Sequence, residues 1–154
     1  MTKRALIVGI DRYTTFNNLS GCANDATAMH DILSRHGPKD PNNPEDRDRN
    51  FDIVDMLVSK ESSGVSQNNL NQEISSLFSE DESYEIALFY FAGHGQKAGR
   101  HGMDGQIMAT NSREDMGITM TSILQRVARS KARHKVIILD CCFAGGMGLS
   151  LIHI

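Results

Sequence analysis

With 154 residues, 40% of them apolar and 23% charged, the chain has the size and balance of one globular domain with its own core. A net charge of −3 without a basic cluster argues against nucleic acid or an anionic membrane as a partner. Three cysteines argue against a disulfide framework, no Cys-x-x-Cys or His-Glu-x-x-His offers zinc a ligand set, and no apolar run approaches the roughly 20 residues that span a bilayer.

The opening Met1–Gly9 is basic and then apolar, but its apolar part is too short for an export signal, so a strand and a cytoplasmic location are expected. Ala5–Ile10 is a continuous apolar run, as a strand covered on both faces requires. From Asn24 to Arg35 the period turns helical, with Ala26, Met29, Ile32 and Leu33 on one face, and Gly37-Pro38 beyond it as a stop. Lys39–Asn50, rich in Pro, Asn and charge, is expected to be an exposed, mobile loop. Asp52–Val58 reads as a second strand. Ser66 is placed to cap a helix whose Leu70, Ile74, Leu77 and Phe78 share a face. Ile86–Phe91 is the strongest strand pattern and is expected to stop at Gly93-His94-Gly95. A glycine-rich loop then leads to a helix lined by Met120, Ile123, Leu124 and Val127. Val136–Leu139 is the last strand, ending at Asp140-Cys141-Cys142. Strands alternating with helices predict an α/β fold, a mainly parallel sheet with helices on both faces.

In such sheets ligands bind beyond the carboxyl ends of the strands. Two of those ends here carry an imidazole and a thiol: Gly93-His94-Gly95 and Asp140-Cys141-Cys142-Phe143-Ala144-Gly145-Gly146. A thiol with a pKa near 8.5 is only a few per cent thiolate at neutral pH, so a neighbouring imidazole that takes its proton makes it a nucleophile. Backbone N–H groups at Gly95 and Cys142 are candidates to hold a developing oxyanion. Taken alone, a histidine after a strand is usually packed or at the surface, and a free cysteine is usually buried. The pairing of the two, each bracketed by glycine, carries the catalytic reading.

Tyr90-Phe91-Ala92-Gly93-His94-Gly95 resembles the histidine motif of the caspase and metacaspase peptidases. Leu139-Asp140-Cys141-Cys142-Phe143-Ala144-Gly145-Gly146 is similar to the metacaspase nucleophile motif Asp-x-Cys-x-Ser-Gly, with alanine for the serine. His94 and Cys142 lie 48 residues apart, against about 50 in caspases. Ala5–Asp11 with Tyr13, and Leu19-x-Gly21-Cys22-x-Asn24-Asp25-Ala26, resemble the family's first strand, loop and helix. The resemblance implies a three-layer caspase-like fold and a cysteine endopeptidase with catalytic His94, Cys142 and Gly95. It also implies a pocket of Cys22, Asp25, Ala92 and Asp140 that takes Lys or Arg before the cut bond in a peptide or protein substrate. A carboxylate-lined pocket favours a cation and disfavours aspartate.

No cofactor is required by this chemistry. Calcium assists some relatives, and Asp104 and Asp115 lie in a suitable region, but no dense carboxylate cluster supports a site. Only 12 residues follow Cys142, so a truncated catalytic half is expected, lacking the C-terminal strands and a small-subunit-like segment. The domain is assigned to 1–148, with 149–154 a short tail foreign to it, and the last strand is expected to expose an unpaired edge. Two rivals differ in class. One is a catalytically incompetent caspase-like interaction module, since fold does not imply function. The other is a nucleotide-binding domain, because Gly93-His94-Gly95-Gln96-Lys97-Ala98 fits Gly-x-Gly-x-x-Ala with Glu114 downstream, provided that the segment opens a helix.

Overall fold

The computed structural model describes residues 2–45, 47–60, 63–98, 104–142 and 150–153, with the backbone alone at 98, 142 and 150–153. Three apolar segments become the centre of the sheet: β1 (Lys3–Ile10), β3 (Ile86–Ala98) and β6 (His134–Cys142). β1 and β6 flank β3 in parallel, and β2 (Ile53–Ser59) runs parallel along the outer side of β1. Parallel strands buried on both faces need apolar residues at successive positions, and Ala5 to Val8 are each 1% exposed or less.

Alternation divides these side chains between two clusters. Leu6, Val8, Phe89, Phe91, Ile137 and Leu139 meet α2 (Gln67–Leu77) and α3 (Met120–Arg129) on one face. Ala5, Ile7, Leu88, Tyr90 and Ala92 meet α1 (Cys22–Ser34) on the other. The result is the expected three-layer α/β arrangement. Ser66 caps α2 by accepting from the Asn69 N–H at 3.1 Å, and Thr119 does the same for α3 from Ser122 at 3.2 Å. Leu70, Ile74, Leu77 and Phe78 are all buried, as their spacing predicts.

Several expectations are corrected. β3 does not stop at Gly93–Gly95. It continues to Ala98 by exchanging its parallel neighbours for an antiparallel one, β4 (Asp104–Ile107), which pairs with β5 (Ile118–Thr119). The edge of β6 is not open: β7 (Ser150–His153) lies antiparallel along it, with Leu139 opposite Ser150. Ile32 is 62% exposed rather than on the inner face of α1. The helix approaches the sheet through Ala23 and Ala26, with Met29 and Leu33 beside them, and Ile32 falls outside that narrow stripe. Most described residues of the 39–50 loop are exposed, with Arg47 and Asn50 half-buried, and it is tied back by Arg47 Nε to the His36 carbonyl (2.8 Å) and by Lys39 to Asp48 (3.0 Å).

Candidate active site

The parallel register brings the carboxyl ends of β1 and β6, and the point where β3 leaves its parallel neighbours, to one edge. Gly9 lies opposite Ala92, Ala92 opposite Asp140, and His94 opposite Cys142. α1 starts over the same edge. Gly9 allows this, because a Cβ there would overlap the Cys22 carbonyl oxygen and come within 2.6 Å of the Ala26 Cβ. Asp11, just past β1 and buried, accepts from the N–H groups of Cys22 (2.9 Å) and Ala23 (3.2 Å). It therefore caps α1 from a distance, since the residue before the helix, Gly21, has no side chain to do so.

His94 is held from three directions. Its backbone N–H donates to the Tyr13 hydroxyl at 2.8 Å. Its ring packs against Tyr13 (centroids 4.6 Å, 64°) and Phe16 (5.7 Å, 43°). Its Nε2 lies 2.7 Å from the backbone carbonyl oxygen of Asn17. A carbonyl only accepts, so Nε2 carries the proton and Nδ1 of the neutral ring is left as the basic nitrogen. The 11–19 loop that presents these groups is fixed by Leu19 N–H to the Asp11 carbonyl (2.8 Å) and Tyr13 N–H to Asn18 Oδ1 (2.9 Å). Gly93 makes room for it: a Cβ there would lie 2.5 Å from the Tyr13 oxygen and 2.9 Å from Phe91 Cζ. Burial, above all, pushes the Tyr13 phenol well above its ordinary range, so it stays a neutral hydroxyl.

The four pocket candidates also converge. Cys22 and Asp25 stand in the first turn of α1, and Ala92 and Asp140 are register partners beneath it. Asp25 and Asp140 are exposed, and Ala92 is buried. Burial, then Asp11, Asp140 and Asp25, push the Cys22 thiol up to about 12. Tyr90 belongs to the same cluster, and its phenol is raised to about 12 by burial first and then by Asp140, Asp25 and Cys22. Cys141 packs in the opposite core, 4% exposed. Gly95 sits in β3 opposite Ile107. The motif residues Phe143, Ala144, Gly145 and Gly146 lie outside the described residues.

A family model described as "Caspase domain" matches residues 2–150. The chain belongs to the caspase family. Among curated proteins it is similar to Metacaspase-6 of Arabidopsis thaliana, 27% identical over 100 residues, covering 63% of this chain and 24% of that protein. It is also similar to Metacaspase-7 of the same plant, 30% identical over 99 residues, covering 63% and 22%. The matched part of this caspase-family peptidase domain thus spans about a quarter of the curated relatives' length.

The competing motifs fare differently. Gly93–Ala98 lies in β3, so the glycine fingerprint opens no helix N-terminus toward a pyrophosphate. The Asp104 carboxylate accepts from Thr121 N–H at 3.4 Å, and no group of three or more His, Cys, Asp or Glu converges among the described residues. Sequence reasoning missed Tyr13, Asn17, Asp11 and Tyr90 as site residues. Of these, Asp11 and Tyr13 had a signal in the first-strand motif, and Tyr90 in the histidine motif.

Proposed function

We propose that the chain is the catalytic part of a cysteine endopeptidase that cleaves after Arg or Lys, with Cys142 as nucleophile and His94 as base. The register pairing of His94 with Cys142, where β6 ends and β3 leaves its parallel neighbours, carries this reading. The other two cysteines support it by their surroundings: the Cys22 thiol is pushed up to about 12, and Cys141 is buried in the core. A nucleophile needs an accessible, ionisable thiol, and neither qualifies.

In the reaction, His94 Nδ1 takes the Cys142 proton, and the thiolate adds to the carbonyl carbon of the scissile bond. The N–H groups of Gly95 and Cys142 stabilise the oxyanion. Collapse breaks the C–N bond as His94 returns the proton to the departing amine, leaving a thioester on Cys142. Water, deprotonated by His94, adds to the thioester. The C–S bond breaks, the acid leaves, and the proton returns to the thiolate. The Asn17 carbonyl supports this by orienting the ring and stabilising the imidazolium. Asp25 and Asp140 supply the attraction for a basic side chain ahead of the cut.

The test is turnover of short Arg-, Lys- and Asp-ended fluorogenic peptides by this chain and its Cys142→Ala variant, with and without calcium. Cys142-dependent hydrolysis of Arg or Lys peptides is the expected result. Hydrolysis that survives Cys142→Ala, or that prefers Asp peptides, overturns the assignment. Inactivity of a folded sample, unrelieved by adding the relatives' C-terminal half, favours a non-catalytic interaction module instead.

A further inference from the structure

Tyr90 stands beside the two carboxylates, Asp25 and Asp140, to which basic specificity is assigned above. Tyr90 precedes Ala92 by two residues on β3 and faces the α1 layer with it. The residue is only 4% exposed, walled by its register neighbours Ile7 and Ile138. Its phenol lies within the electrostatic reach of Asp140, Asp25 and Cys22 together. Among the described residues the hydroxyl has no hydrogen-bond partner, and it is not sealed from solvent, since the one such orphan there is Arg126 Nη1. A tyrosine buried to its ring with an open, unpaired hydroxyl is placed to meet something that enters from outside.

Asp25 and Asp140 are exposed, while Ala92 offers only a methyl group. We propose that Tyr90 is the floor of this pocket and a specificity-determining residue, its hydroxyl oxygen accepting a hydrogen bond from the terminal nitrogen of an entering Lys or Arg. The proposal rests on the basic-specific peptidase reading above and adds a division of labour to it: the carboxylates read charge, and Tyr90 reads length. The phenol keeps its proton at working pH, so its O–H remains free to donate to a carboxylate while the oxygen accepts from the ligand. A side chain with a shorter stem, such as ornithine, leaves its nitrogen short of the floor and loses that bond.

The test is equilibrium binding of Arg-, Lys-, ornithine- and Leu-ended peptides to the Cys142→Ala protein, with and without Tyr90→Phe, by calorimetry. Hydrogen bonds to charged groups predict a loss of roughly tenfold or more for Arg and Lys peptides in the Tyr90→Phe protein, with ornithine and Leu peptides unchanged. Equal affinities of Arg and Lys peptides for both proteins overturn the role of Tyr90 and leave the acidic pocket standing. Equal losses for all four peptides also overturn it, since they mark a general structural defect. Failure of the folded Cys142→Ala protein to bind basic peptides better than Leu peptides overturns the pocket and the floor together.

Discussion

Gly93→Ala tests whether the histidine is positioned by the loop packed against it. The added Cβ would sit 2.5 Å from the Tyr13 oxygen and 2.9 Å from Phe91 Cζ, both inside normal contact. Overpacking of this kind costs about 2 kcal/mol. Displacing the Tyr13 hydroxyl also forfeits its 2.8 Å bond from the His94 N–H, for about 1 kcal/mol more. A total near 3 kcal/mol lowers the Tm of a domain this size by about 9 °C. Tyr13→Phe alone removes the acceptor and leaves that amide unsatisfied, for about 1–2 kcal/mol. The decisive measurement is the double variant. With the hydroxyl already gone, Gly93→Ala loses part of its clash and has no bond left to break. The pair should therefore be less destabilising than the sum by about 1 kcal/mol or more, read from denaturant unfolding of all four proteins. Additivity within about 0.5 kcal/mol would falsify the claim that Gly93 exists to admit Tyr13.

Other perturbations test the rest of the site. With its thiol pushed up to about 12, Cys22 is roughly one part in ten thousand thiolate at pH 8, so brief iodoacetamide treatment should label Cys142 alone by peptide mass spectrometry. Comparable labelling of Cys22 contradicts the half-buried, acid-flanked setting assigned to it. Asp11→Ala removes the cap from two N–H groups of α1 and should cost about 1–2 kcal/mol, whereas Asp11→Asn keeps one acceptor and costs less. If the two substitutions prove equally mild in urea melts, the remote cap is not a stabilising contact. Cys22 and Tyr90 both hold their protons more tightly in the folded state, up to about 12 from ordinary values of 9.0 and 10.0. The unfolded chain then binds fewer protons at high pH, so stability is intact below about pH 9 and declines as pH rises toward 12. Thermal melts from pH 7 to 11 check this, and a flat Tm across that range refutes it.

The layers were readable because burial on both faces of a parallel sheet leaves a plain mark, as in Ala5–Ile10, Ile86–Phe91 and Val136–Leu139. His94 and Cys142 were readable as neighbours just past those apolar runs for the same reason, although β3 itself runs on past His94. What escaped the sequence depends on contacts between distant segments. β3 continues past Gly93 because β4 supplies new hydrogen-bond partners, and β4 itself is a four-residue strand with no periodicity to detect. Ile32 was misplaced because α1 sits close to the sheet on alanines, a narrower stripe than its apolar pattern suggests. The open edge expected after Leu139 is covered by β7, whose four residues carry too little pattern to reveal their pairing. Tyr90 stood in the histidine motif without a role of its own, since an aromatic in an apolar run gives no sign of what its hydroxyl meets.

The contact between His94 Nε2 and the Asn17 carbonyl has a consequence for how this protein can vary. The group that selects the imidazole's tautomer belongs to the main chain, which every amino acid possesses. Residue 17 can therefore change its identity without losing the contact, provided that the loop keeps its path. Selection would act on the residues that hold that path, such as Asp11, Asn18 and Leu19. A scan of side-chain substitutions would report position 17 as dispensable while it went on orienting the His94 ring. Part of this candidate site is thus written in backbone shape, which only the fold as a whole can preserve.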